Sequence, residues 1–228
     1  MPNTQTSVPL FVANTVLTAA QQNISAGTGV PVFATTVTRD AAFGGSNKAL
    51  AEGQLCYLES TNVVQYYTGS AWATVGPSTA AVSIFSVSQA NGTNGGTATS
   101  GSFLKIGLNT TVVNGITSCT LTSGVISLPA GTYTVSASNP FGGVSDCKIK
   151  LRNTTDSTDE IIGTSGNQFG PASQMVRTEL LGVFTSVATK DYELQYRVGT
   201  TLAAYGLGIN NGFSVAENYA LITITKTA

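Results

Sequence analysis

Histidine is absent from the 228 residues, which removes the commonest general base and the commonest metal ligand. Charge is scarce as well. Asp, Glu, Lys and Arg together make up 9% of the chain, against roughly a quarter in an ordinary soluble protein. The net charge is −1 and no Lys/Arg cluster occurs, so the electrostatic footprint demanded by nucleic acid is missing. Cysteine is limited to Cys56, Cys119 and Cys147. An odd number cannot all pair internally, and their spacing fits no metal-ligand pattern; free, buried thiols are the expectation. No apolar run approaches the length of a membrane span, so membrane insertion is not expected. The N-terminus lacks the basic start and apolar core of a secretory signal, which predicts assembly in a cytosol. No stretch keeps a helical period over three turns.

What fills the space is Thr, Ser, Gly and Asn between short β-branched runs. Residues 128–155 are the clearest stretch. Pro129, Ala130 and Gly131 turn into a strand in which Tyr133, Val135 and Ala137 alternate with Thr132, Thr134 and Ser136, the period of a half-buried strand. Asn139, Pro140, Gly142 and Gly143 then interrupt it. In the next run Cys147, Ile149 and Leu151 share one face, while Asp146, Lys148, Lys150 and Arg152 share the other. The pattern predicts one large antiparallel hairpin with a wet face. Further strands are expected at residues 103–108, 117–121, 125–128, 160–163, 175–185, 192–198, 205–209 and 219–225. Short strands with Gly/Asn turns at this spacing predict a sandwich or jelly roll over residues 102–228.

The preceding stretches divide naturally. Residues 1–38 contain no charged side chain, the first being Arg39. Val8, Leu10, Phe11 and Val12, then Val32 and Phe33, would be sticky in water; the segment is either a strand tucked into the same domain or an arm docked on another protein, and the arm is favoured. Thr18, with Gln21 three residues on, is placed to cap a short helix there. In residues 39–76, Leu55, Tyr57, Val64, Tyr66 and Trp72 mark three short strands of a small β-module, too small to stand alone. Residues 77–101 hold one strand, 82–87, followed by a Gly/Asn/Thr stretch expected to be a flexible linker.

Chemistry is sparse. Asp156, Asp159 and Glu160 place three carboxylates in one loop, where they could hold Ca²⁺, act as a catalytic pair, bind a ligand at the surface, or form a solvated Asp/Ser/Thr turn. The EF-hand spacing is absent, which favours the turn. No Gly-x-Ser-x-Gly elbow or phosphate loop occurs, and no cofactor is expected. Trp72 with Tyr66 and Tyr67 could stack on a sugar or form the small module's core; the core is favoured.

Two resemblances supply a function. Arg39-Asp40, Ala51-Glu52-Gly53, Ser60-Thr61-Asn62, Tyr66-Tyr67 and Gly69-Ser70-Ala71-Trp72 resemble a small β-module of bacteriophage fibre and virion proteins. Pro129–Tyr133 with the basic strand after it, the Tyr192–Tyr196 strand, and Leu221-Ile222-Thr223-Ile224 with Lys226 resemble the C1q/TNF-like jelly roll. The first implies a phage virion structural protein of fibre, spike or capsid-decoration type, docked on capsid or tail proteins. The second implies an all-β homotrimer whose exposed loops meet a host surface glycan or clad the particle. A virion-carried polysaccharide-degrading enzyme and a carbohydrate-binding module are the rival readings.

Overall fold

The computed structural model describes residues 8, 13, 16, 18, 29–45, 48–76, 80–168 and 174–227. The chain divides into two compact units, Met1–Ser78 and Thr79–Ala228. In the first, strand β1 (Val32–Phe33) runs parallel to β2 (Leu55–Leu58). Antiparallel neighbours β3 (Val63–Tyr67) and β4 (Trp72–Thr74) complete a four-stranded sheet. The three expected strands are present, and β1 is an addition. Asn62, in the left-handed region at φ 54°, makes the tight turn between β2 and β3 that Asn tolerates better than most residues.

Helix α1 (Thr36–Ala41) follows β1. It was not expected, because two-faced β-branched residues mask a six-residue helix. Its start is chemical rather than periodic. Thr35 donates its N–H to Thr38 Oγ1 at 3.0 Å and receives the Thr38 N–H at 3.3 Å, a reciprocal capping box. The helix aims Arg39 into the module. Its Nε donates to Asp40 at 2.8 Å, its Nη1 donates to Gln65 at 2.5 Å, and its guanidinium lies 4.8 Å from the Trp72 ring centroid. The Trp72 ring packs 5.9 Å from Phe43 and 5.6 Å from Tyr67. The Arg-Asp pair and the terminal Trp of the sequence motif are thus the two halves of one contact.

The second unit is a two-sheet sandwich. Its strands are β5 (Ala81–Gln89), β6 (Leu104–Lys105), β7 (Thr110–Asn114), β8 (Thr120–Thr122), β9 (Val125–Leu128), β10 (Gly131–Gly142), β11 (Asp146–Asn153), β12 (Thr158–Asn167), β13 (Met175–Ser186), β14 (Lys190–Val198) and β15 (Glu217–Lys226). One sheet runs β13-β10-β15-β5-β7 and the other β12-β11-β14-β9-β8, with β6 on β14. The pairings nest: β5 with β15, β9 with β14, β10 with β13, β11 with β12, all antiparallel. A long hairpin rolled up so that its strands alternate between two sheets gives this nesting, which defines a jelly roll. The expected all-β jelly roll is therefore the fold.

Residues 128–155 are not one hairpin. β10 and β11 lie in different sheets, and the chain crosses the sandwich between them. Both strands turn their apolar faces inward, so Tyr133, Val135, Cys147, Ile149 and Leu151 meet in one core. The alternation reports which side faces the core and says nothing about pairing. Pro140 does not end β10 either. Beyond Ser138 the strand pairs with β13 alone, the edge setting in which proline's missing donor costs no ladder bond. The core's centre is aromatic: Phe184 packs 5.5 Å from Tyr133 and 5.0 Å from Tyr192. Tyr133 donates its hydroxyl to the Pro129 carbonyl at 2.6 Å, and burial pushes that hydroxyl's pKa up to about 12.

The boundary expected at residue 102 lies too late. β5 is an interior strand of the sandwich, and residues 91–101 are pinned against the β14–β15 connection. Ala98 is fully buried and bridges Leu202, and Tyr219 donates its hydroxyl to the Thr93 carbonyl at 2.6 Å. Glycine serves close approach here: a Cβ on Gly95 would stand 2.3 Å from the Leu207 carbonyl oxygen. The strand expected at 205–209 is absent; those residues belong to that irregular connection.

Candidate interaction surface

Every second residue of the β13-β10-β15-β5-β7 sheet points away from the core. Register aligns these outward residues into rows. One row joins Leu181, Ser136, Thr223, Ile84 and Val113, and the next joins Val183, Thr134, Thr225 and Val82. Neither row contains a charge. Leu181 is 74% exposed, Val183 63%, Val112 55% and Leu221 44%. Beside Leu221 lies a shallow cleft of about 360 Å³ lined by Ser86, Val112, Arg177, Asn218 and Tyr219. Single exposed apolar side chains are ordinary; apolar ends linked by uncharged Ser and Thr across a sheet make this face a candidate interaction surface. The sequence carried a trace of it. β13 has Leu180 and Phe184 buried inside and Leu181 and Val183 outside, and strands apolar on both faces are those covered on both faces.

The three carboxylates of the β11–β12 turn do not converge on a shared site. Asp159 accepts from Lys150 Nζ at 2.7 Å and Arg152 Nη1 at 2.9 Å, which hold its carboxyl below the usual range. Asp156 pairs with Lys190 and accepts from Asn153 at 3.0 Å, and the Lys190 hydrogen bond lowers it too. Glu160 accepts from the same Asn153 amide at 3.0 Å and from Thr158 at 3.0 Å. Asn153, 2% exposed, was missed by sequence reasoning and is the turn's organiser: its side chain also receives the Asp156 N–H at 2.9 Å. The result is an ion-paired turn. Among the described residues no group of three His, Cys, Asp or Glu is placed to hold a metal ion.

The residues expected to dock on a virion have different places. Phe33 is fully buried in the small module's core, with Val8, Ala42, Cys56 and Leu58. Val8 also donates its N–H to Ala42 at 3.1 Å and accepts from Lys48 at 3.0 Å. Val32 is a strand residue paired with Tyr57. These three are used by their own module, because β1 completes its sheet. Leu10, Phe11 and Val12, and the helix expected after Thr18, lie outside the described residues. Trp72 is partly buried against the module's core cluster and Tyr67 packs on its ring, whereas Tyr66, expected in that core, is 40% exposed.

Cys56, Cys119 and Cys147 are free and buried. Burial pushes each thiol above its ordinary pKa, Cys147's to about 11. Little thiolate then exists at neutral pH, and the thiolate is the reactive form. In the folded protein a thiol reagent should modify none of the three within minutes, and after denaturation without reductant it should titrate all three. A protected pair after denaturation would overturn this.

No protein-family model and no curated protein sequence matches the chain. Solved structures are similar in fold. Murine APRIL at pH 5.0 aligns with a TM-score of 0.43 at 8% identity, over 65% of this chain and 99% of that one. The globular domain of zebrafish complement 1qA aligns with a TM-score of 0.41 at 12% identity, over 64% and 97% respectively. The jelly-roll class itself follows from the strand nesting described above.

Proposed function

We propose that this chain is a homotrimeric surface protein of a bacteriophage virion, of the fibre, spike or capsid-decoration type. The observation that carries the reading is the pair of uncharged rows through Leu181 and Val183 on the outer face of the β13-β10-β15-β5-β7 sheet, beside Arg177 and Glu179 at one end of β13, a surface suited to a second copy of the same jelly roll. The small-module motif and the near absence of charge support the virion assignment. Leu10, Phe11 and Val12 of the uncharged N-terminal segment attach the trimer to capsid or tail proteins, and the jelly roll displays its loops outward for host-surface binding or shell reinforcement. Binding and display, rather than catalysis, account for a turn whose carboxylates are all engaged.

Light scattering of the whole protein should give roughly three times the 23.3 kDa chain mass, and antibodies against it should label purified phage particles. A clean monomer at micromolar concentration overturns the assembly, and unlabelled particles overturn the location.

A further inference from the structure

The opposite sheet, β12-β11-β14-β9-β8, presents a different outer face. Most of its cations are neutralised. Lys150 and Arg152 share Asp159, Lys105 stands 3.8 Å from Glu193, and Lys190 pairs with Asp156. Two are not. Lys148 on β11 and Arg197 on β14 are direct register partners, and among the described residues neither has a carboxylate within ion-pair distance. Directly opposed side chains on adjacent strands start about 4.5–5.5 Å apart at Cβ, and like charges so placed destabilise a sheet. Two cations held together without a counter-ion mark a place where an anion would be favoured.

That place is a groove. Lys148 and Arg197 line a cavity of about 870 Å³ with Ser100, Phe103, Asp146, Ser165 and Asn167, a size typical of a ligand site. Asp146 is the single carboxylate in the lining and is turned to the Asn167 amide, so the lining carries one net positive charge. Phe103 forms one wall, braced by Lys150 Nζ at 4.2 Å from its ring centroid. The groove thus offers an Arg fork and a Lys for an acidic group, hydroxyl and amide side chains for hydroxyl partners, and an aromatic edge for a sugar ring.

We infer that this groove binds an acidic saccharide, a sugar chain bearing carboxylate or sulfate groups, with Lys148 and Arg197 holding the acid and Ser100, Ser165, Asn167 and Phe103 holding the sugar. The inference rests on the display function proposed above only for its biological setting. The groove lies on the sheet facing away from the self-association surface, so a trimer leaves it open.

The test is calorimetric titration of the full-length protein with oligogalacturonate, sulfated dextran, neutral dextran, inorganic sulfate and a polyglutamate peptide. Acidic saccharides should bind more tightly than neutral dextran or sulfate, and more weakly as salt rises. The double variant Lys148→Gln/Arg197→Gln should lose about tenfold or more in affinity, since charge-assisted hydrogen bonds are the strong ones. The Lys48→Gln control, on the small module, should not. Whichever acidic saccharide binds tighter names the acid. Neutral dextran binding as tightly, a double variant that binds normally, or polyglutamate matching the saccharides would each overturn the inference. The double variant's mass is read alongside: failure of trimerisation in the parent sinks the assembly proposal without touching the groove.

Discussion

Replacing Leu181 and Val183 with aspartate should dissociate the proposed trimer into folded monomers. Both side chains point outward from β13, 74% and 63% exposed, and their row neighbours on β10 and β15 are uncharged. Burying a side chain of this size is worth roughly 1.5–3 kcal/mol, and three-fold symmetry repeats the gain at every contact. Aspartate reverses the sign, because a carboxylate taken out of water without a partner is strongly unfavourable. In the monomer the same aspartates sit in solvent and cost little, since the inward residues Leu180 and Phe184 are untouched. Light scattering should therefore fall from roughly three chain masses to one 23.3 kDa chain, while the far-ultraviolet circular dichroism keeps its β signature. A variant that stays trimeric would show that this face is not the interface. A variant that unfolds would show that the outer rows belong to the core.

The fold was legible to the extent that its strands face water on one side. Tyr192, Leu194, Tyr196 and Val198 alternate with polar residues because β14 has one buried and one open face, and the structure buries those four. Pairing was not legible. β10 and β11 each alternate correctly, yet sheet membership is decided by partners far along the chain, such as Thr185 opposite Thr132. Glycine misled for a physical reason. Gly95 and Gly206 permit backbones to touch, which composition alone cannot separate from flexibility; a Cβ on Gly206 would lie 2.6 Å from that of Ala98. The interaction surface was half legible. The residue types of β13 were in view, but only register shows that Leu181 and Val183 continue into uncharged neighbours. The Lys148–Arg197 pair was hidden for the same reason: the two are far apart in sequence and adjacent only through β11 pairing with β14.

Cutting the chain after residue 38 should unfold the small module, whereas cutting after residue 78 should leave a stable jelly roll. The first cut was expected to remove a dispensable arm. The structure places Phe33 at 0% exposure in the module's core, makes β1 part of its sheet, and runs the cut through α1, so that the whole Thr35–Thr38 capping box is lost. A module of four short strands has little stability to spare, and truncating a buried phenylalanine alone costs about 3–5 kcal/mol. Phe33→Ala should thus resemble the deletion. The second cut falls at the boundary between the two compact units, and Thr79–Ala228 keeps its whole core cluster. The single tryptophan of the chain, Trp72, lies under Arg39 in the module, so its fluorescence follows that unit alone, while circular dichroism follows mainly the jelly roll. In the intact protein Trp72 should shift to the red in its own transition. In the 39–228 protein, and in Phe33→Ala, it should be red-shifted from the start, with the jelly-roll transition preserved. The 79–228 protein should melt as the jelly roll does in the full chain. Native Trp72 emission after removal of residues 1–38 would show that β1 is not part of the module's core and would restore the arm as a free docking element.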